Sequence, residues 1–254
     1  MLQQELALIA MGFVPCIFYV FWVRRSELTR KEPFGRVLQI FALGAVVSTG
    51  LALILERAGQ IVVDIYAAAT KAAQGSNLLL GIVVLAPIFE EFTKALPVLL
   101  IRNKPFFDEI EDGLVYGAAA GFGFAATENV MYFFVSWKHQ SLGMGEAAGL
   151  ASIALLVVVR SLGSASLHGA TGAISGSGIS TQKMLGGFWI TRYAMAVTYH
   201  ALYNFAIFLF AALGSDLLRG PLSLLPLIVA CAFGLWLFRA VLYEIRVLDR
   251  GKVA

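Results

Sequence analysis

Runs of about 20 apolar residues recur from one end of the chain to the other with only short polar gaps, and that feature decides the solvent in which it folds. A helix needs roughly that length to cross a hydrocarbon core. Seven runs stand out, at 6–23, 37–55, 78–101, 113–135, 148–176, 185–213 and 222–242. The composition, 59% hydrophobic and 14% charged, departs the same way from soluble domains, which are about 45–50% apolar and about 25% charged. The expectation is an all-α, polytopic membrane protein of about seven transmembrane helices, a single transmembrane domain over 1–254. The first run follows Glu5, precedes Arg24 and Arg25 and lacks a small-residue cleavage site, so it reads as a retained span rather than a signal peptide. Cys16 and Cys231 fall in apolar runs and behave as small hydrophobes. The net charge of +3 gives no support to nucleic-acid binding.

The distribution of basic residues sets an orientation. Segments after the first, third, fifth and seventh spans hold eleven: Arg24, Arg25, Arg30, Lys31, Arg36, Arg102, Lys104, Lys183, Arg246, Arg250 and Lys252. The opposite side holds Arg57, Lys71, Lys138 and Arg219. The positive-inside rule then places the N-terminus outside and the C-terminus in the cytoplasm.

Ionisable groups at mid-bilayer cost about 2.5–3.5 kcal/mol each on insertion scales, so they face a protein interior or a wet cavity. Here they concentrate between 78 and 213, the expected catalytic core. Span three carries Glu90, Glu91 and Lys94, span four Glu128 and Asn129, span five Arg160 and His168, and span six Arg192, His200 and Asn204. At 1.5 Å per residue, Glu90, Glu128, His168 and His200 fall about 14–22 Å from the cytoplasmic ends of their helices, which permits one shared layer. Glu90 and Lys94, four apart, can form a structural ion pair, but two adjacent carboxylates point about 100° apart and one lysine does not satisfy both. Arg160 and Arg192 each precede a histidine by eight residues and suit carboxylate partners. Gly117 to Gly123 and the Gly, Ser and Ala around His168 suit close helix packing.

Two buried histidines with carboxylates at similar depth match a catalytic zinc site: three protein ligands, an open position and a nearby base. The expected ligands are Glu128, His168 and His200, with Glu90 or Glu91 activating water and Glu90 preferred. Asn204, one turn after His200, can orient that ring or donate to a developing oxyanion. His139 is read as a loop residue without a role. Buried Glu and His are also proton relays, so a proton-coupled transporter or channel is the alternative, and a receptor or scaffold a third reading. No internal duplication of the kind transporters carry is evident beyond the two Arg-x7-His spacings.

The residues in their order, Glu90-Glu91-x-x-Lys94, Asp112-Gly113-x-x-Tyr116-Gly117, Phe124-x-x-x-Glu128-Asn129-x-x-Tyr132, Arg160 with His168, and His200-x-x-x-Asn204, resemble the PrsW family of intramembrane proteases, related more distantly to the CAAX prenyl endopeptidase superfamily. The resemblance implies proteolysis of a membrane-associated protein in a prokaryotic cell membrane, with the lipid bilayer and a substrate such as an anti-sigma factor-like regulator as partners. The related superfamily has histidine where this chain has Glu128, which makes Glu128 a candidate metal ligand by resemblance as well as by chemistry. A metal-free glutamate mechanism is the fallback.

Overall fold

Helix is the only regular structure among the described residues, as expected where lipid offers the backbone no hydrogen-bond partner. The computed structural model describes residues 2–70, 74–213 and 225–251, apart from the side chains of 74–76 and 210–213. Lys71, Arg219, Lys252 and the first three residues of the last expected span, 222–224, lie outside the described residues. The described helices run in seven rods: α1 (Leu2–Ser26), α2 (Phe34–Thr70), α3 (74–101), α4 (Ile110–Met144), α5 (Glu146–Leu185), α6 (Trp189–Leu213) and α7 (Leu225–Arg250). Of these, α1, α2, α5 and α7 are long and apolar enough to cross a membrane by length and composition. The other three carry most of the ionisable residues picked out above.

The rods outrun the apolar runs. α2 continues past residue 55 through Glu56, Arg57 and Gln60, and α4 continues past 135, so His139 lies on a helix rather than in a loop. Apolar periodicity marks what lipid or core requires, whereas a helix goes on wherever nothing breaks it. α4 breaks at Gly145, whose φ of 84° suits glycine.

α4 is central and packs most closely on α5. Glycines at four-residue spacing make this possible. A Cβ at Gly113, Gly117 or Gly121 would run into the backbone carbonyls of Gly176, Gly172 and His168 respectively, and Gly172 and Gly176 return the relation. Such small-residue seams let transmembrane helices approach backbone to backbone. The seam brings His168, on α5, level with Gly121 and one turn from the Phe124 ring, whose centroid is 5.3 Å from the imidazole.

Three rods contain a wide π turn: Gly44–Ser48 in α2, Leu80–Leu85 in α3 and Arg160–Ser164 in α5. Carbonyls in the first two accept hydrogen bonds from side chains of neighbouring rods. Thr127 donates to Ala45 at 2.8 Å and Asn204 to Ile82 at 3.0 Å. The third wide turn starts at Arg160 and aims its guanidinium at α4.

Candidate active site

α3 contributes Glu90, Glu91 and Lys94. Helical spacing allows Lys94 to reach a carboxylate three or four residues back, and packing selects the nearer. Lys94 Nζ lies 2.5 Å from Glu91 Oε1, and both side chains are fully buried. Glu91 Oε1 also accepts from Thr171 Oγ1 at 2.9 Å and meets His200 Nδ1 at 2.8 Å. The lysine gives its other contacts to His168 Nδ1, 2.9 Å away, and to Thr171 Oγ1 at 3.4 Å.

Glu90 is the carboxylate left over. Its Oε2, like that of Glu91, is buried without a hydrogen-bond partner, and it alone stands between the rings, 3.8 Å from His168 Nδ1 and 3.8 Å from His200 Nε2. The two rings meet edge to face with centroids 4.9 Å apart. One ligand atom from each of Glu90, His168 and His200 can be chosen so that all three lie within 4.8 Å of one another.

Glu128 approaches from the other side of His168. Its Oε2 lies 3.0 Å from His168 Nε2 and accepts from Arg160 at 2.7 Å, while Arg160 Nε donates to Asn129 Oδ1 at 2.7 Å. The Arg160 guanidinium also stacks 3.8 Å above the Tyr132 ring. Arg192 pairs more loosely, at 3.4 Å, with Glu244 of α7. Both arginines have carboxylate partners.

The chemistry of these neighbours assigns the ring protons. A carboxylate opposite His200 Nδ1 makes that nitrogen a donor and leaves the Nε2 lone pair turned to Glu90. An ammonium opposite His168 Nδ1 makes that nitrogen an acceptor, so the His168 proton sits on Nε2, toward Glu128.

Glu90, Glu128, His168 and His200 all border a cavity of about 990 Å³ lined by residues of α2, α3, α4, α5, α6 and α7, with Glu56, Gln60, Tyr203 and Asn204 on its wall. Glu56 was missed in the sequence because it follows directly on the second apolar run beside Arg57 and looks like a loop charge. Thr171 was missed although it lies one turn after His168, the spacing that puts it on the same face. Asn204 shares the cavity wall, but its side-chain amide donates to the Ile82 carbonyl rather than holding His200, whose Nδ1 is taken by Glu91.

The donor set suits a divalent cation in kind, two imidazoles and a carboxylate, and the orphaned Glu90 oxygen is the atom such an ion would satisfy. Glu90 rather than Glu128 faces both rings. The one obstacle is the Lys94 ammonium on His168 Nδ1.

A helical membrane protein that buries a carboxylate, imidazole and ammonium cluster beside a large cavity among its helices is the class these observations define. Residues 32–238 match the PrsW family of intramembrane metalloproteases, and the chain belongs to that family. It is 28% identical over 153 residues to the Protease PrsW of Clostridioides difficile (strain 630), a stretch covering 59% of this chain and 60% of that protein. No solved structure matches the chain. Family and bacterial relative make it an integral protein of a prokaryotic membrane.

Proposed function

We propose that the chain hydrolyses a peptide bond of a membrane-associated protein, a single-span regulator of the anti-sigma factor kind, at the centre formed by Glu90, His168 and His200. The observation that carries this reading is the Glu90 Oε2 atom, buried and unpartnered between two imidazoles on the wall of a cavity large enough for a strand of substrate. A buried carboxylate without hydrogen bonds is costly, and such groups persist where a reaction uses them.

Each neighbour has a task. Glu91 holds the proton of His200 on Nδ1, which keeps Nε2 open toward Glu90. Arg160 neutralises Glu128, and Glu128 orients His168 through Nε2. A divalent cation such as Zn2+ would be held by Glu90, His168 and His200 and would supply Lewis acidity toward the scissile carbonyl. Without it, Glu90 Oε2 is placed to take the proton of a water that attacks the carbonyl. This second, metal-free use is favoured by one observation, the occupation of His168 Nδ1 by Lys94.

Both uses require the same oxygen, and chelation separates them. Purified protein is incubated with single-span membrane proteins, with and without exhaustive chelation, beside a Glu90→Gln variant, and mass spectrometry locates the cut. Cleavage by the wild type that Glu90→Gln abolishes is the expected result. Cleavage that survives chelation selects the metal-free form, and cleavage by Glu90→Gln at the wild-type rate removes the proposed centre.

A further inference from the structure

Lys94 is the one charged member of the cluster that the proposed chemistry leaves without a task. Burying an ammonium completely among helices is expensive, and a single ion pair with Glu91 would satisfy only one of its three donors. The other two are directed at His168 Nδ1 and Thr171 Oγ1, with the Phe124 ring 5.2 Å away on another side. His168 is thus held between a cation on Nδ1 and a carboxylate on Nε2, both facing its ring nitrogens within hydrogen-bond distance. The nitrogen of His168 that stands 3.8 Å from the Glu90 oxygen is the same Nδ1 that Lys94 occupies. No such ammonium stands at the corresponding nitrogen of His200, whose Nε2 faces Glu90 alone among the described contacts.

We propose that Lys94 is a positioning residue that keys the His168 proton to Nε2 and closes Nδ1, so that a divalent cation enters the Glu90, His168 and His200 trio only by displacing the Lys94 ammonium. This rests on the reading of that trio as the reacting centre, but the position of the His168 proton is measurable without any substrate. Lys94 then acts as an internal counter-cation. It neutralises Glu91, orients His168 and competes with a metal ion for one lone pair.

The chain has only three histidines, His139, His168 and His200, so a nitrogen NMR spectrum of ring-labelled protein in detergent micelles is simple to assign with a His168→Gln variant. Metal-free wild type should show His168 with its proton on Nε2 and His200, as an internal control, with its proton on Nδ1. Lys94→Arg, which keeps a charged donor, should preserve the His168 tautomer. Lys94→Met should release it and bind Co2+ at least about tenfold more tightly than wild type, with the visible absorption of a low-coordinate cobalt site, because no charge-assisted hydrogen bond has to be broken. His168 protonated on Nδ1 or on both nitrogens in the wild type overturns the proposal, and that measurement needs no variant to fold. Cobalt affinity unchanged or weakened in folded Lys94→Met also overturns it, as does absence of cobalt binding in both proteins. Loss of peptide cleavage with the tautomers as described counts against the proteolytic reading and leaves the role of Lys94 standing.

Discussion

Glu90 and Glu91 are chemically identical neighbours in sequence, and their surroundings divide them into two kinds of residue. Each has a buried Oε2 without a hydrogen-bond partner, but Glu91 completes a buried ion pair and accepts from Thr171 and His200 through Oε1, whereas Glu90 Oε2 stands between the two imidazoles, 3.8 Å from each. Conversion of each to glutamine should therefore separate activity from stability. Glu90→Gln should lower cleavage by about 10²–10⁴-fold, the usual range for removing a general base, with the thermal midpoint nearly unchanged. Glu91→Gln should destabilise the protein by about 3–5 kcal/mol, because it strands a buried ammonium. Peptide cleavage and thermal unfolding in detergent, measured on both variants, check the pair of outcomes, and equal destabilisation by the two would contradict the division. The sequence supplied the residue types and the surplus of one carboxylate over one lysine, since helical spacing alone requires it. Which glutamate is left over was not legible, because i,i+3 and i,i+4 pairs are nearly equivalent on an isolated helix and the choice is made by Thr171 and His200 from two other rods. The same reason hid the partner of Asn204, which depends on a wide turn in α3 that no residue pattern announces.

At the level of elements, the site depends on how closely α4 and α5 approach, and the glycine pattern that permits it was visible in the sequence. A Cβ at Gly121 would meet the carbonyl carbon of His168 at 2.8 Å and its oxygen closer still, whereas one at Gly143, on the same rod, would meet nothing within 4 Å. Gly121→Ala should cost about 1–3 kcal/mol, the range for overpacking a tight contact, and should reduce cleavage by displacing His168. Gly143→Ala should be neutral or slightly stabilising, since alanine is the better helix former. Unfolding midpoints and cleavage rates of the two variants make the comparison. The connection between α1 and α2, residues 27–33, held the opposite lesson. Its charges look like those of an ordinary solvated loop, yet Glu27 and Glu32 are buried, with Glu27 accepting from the Glu32 backbone at 3.2 Å and Glu32 accepting from Tyr116 of α4. Burial pushes the Glu27 carboxyl up to about 8 from an ordinary 4.5, against the lowering effect of the Glu32 N–H and helped by the charges of Glu32 and Asp112. The folded protein then keeps a proton that the unfolded chain releases, so stability falls as pH rises from about 4.5 to about 8 and levels off above that. Glu27→Gln retains an acceptor and does not titrate. Its unfolding midpoint should exceed that of the wild type by a margin that grows between pH 5 and pH 8, and a margin independent of pH would refute the assignment.

Across the whole molecule, the basic segments grouped by counting gather at one end of the bundle. Arg30 of the first loop pairs with Asp108 of the loop after α3 at 2.9 Å, and Lys183 near the end of α5 donates to the Phe107 carbonyl in that same loop. Arg36, in the first turn of α2, lies 4.1 Å over the Phe106 ring. From the last turn of α7, Asp249 accepts from the backbone of Leu28 and from Thr29, which ties the far end of the chain to the first loop. The four segments that carry the excess of Lys and Arg are therefore neighbours in space, as a single membrane face requires, and contacts of this kind link residues up to 221 apart that no local pattern connects. Arg57 and Gln60, well along α2 from Arg36, border the cavity on the helix stretch beyond the second apolar run, so the cavity extends toward the face with few basic residues. We propose on this basis that the basic end lies in the cytoplasm and that the N-terminus and the Arg57 side of the cavity face outward, since Lys and Arg are retained where they are made. Single cysteines placed at Lys104 in the basic loop and at Gly143 at the far end of α4 should differ in labelling by a membrane-impermeant maleimide on intact cells: Gly143→Cys should react, and Lys104→Cys only after the membrane is permeabilised. The two native cysteines, Cys16 and Cys231, lie within α1 and α7 and are replaced by alanine in the parent protein to remove background. The reverse pattern would invert the orientation and place the cavity's Arg57 side in the cytoplasm.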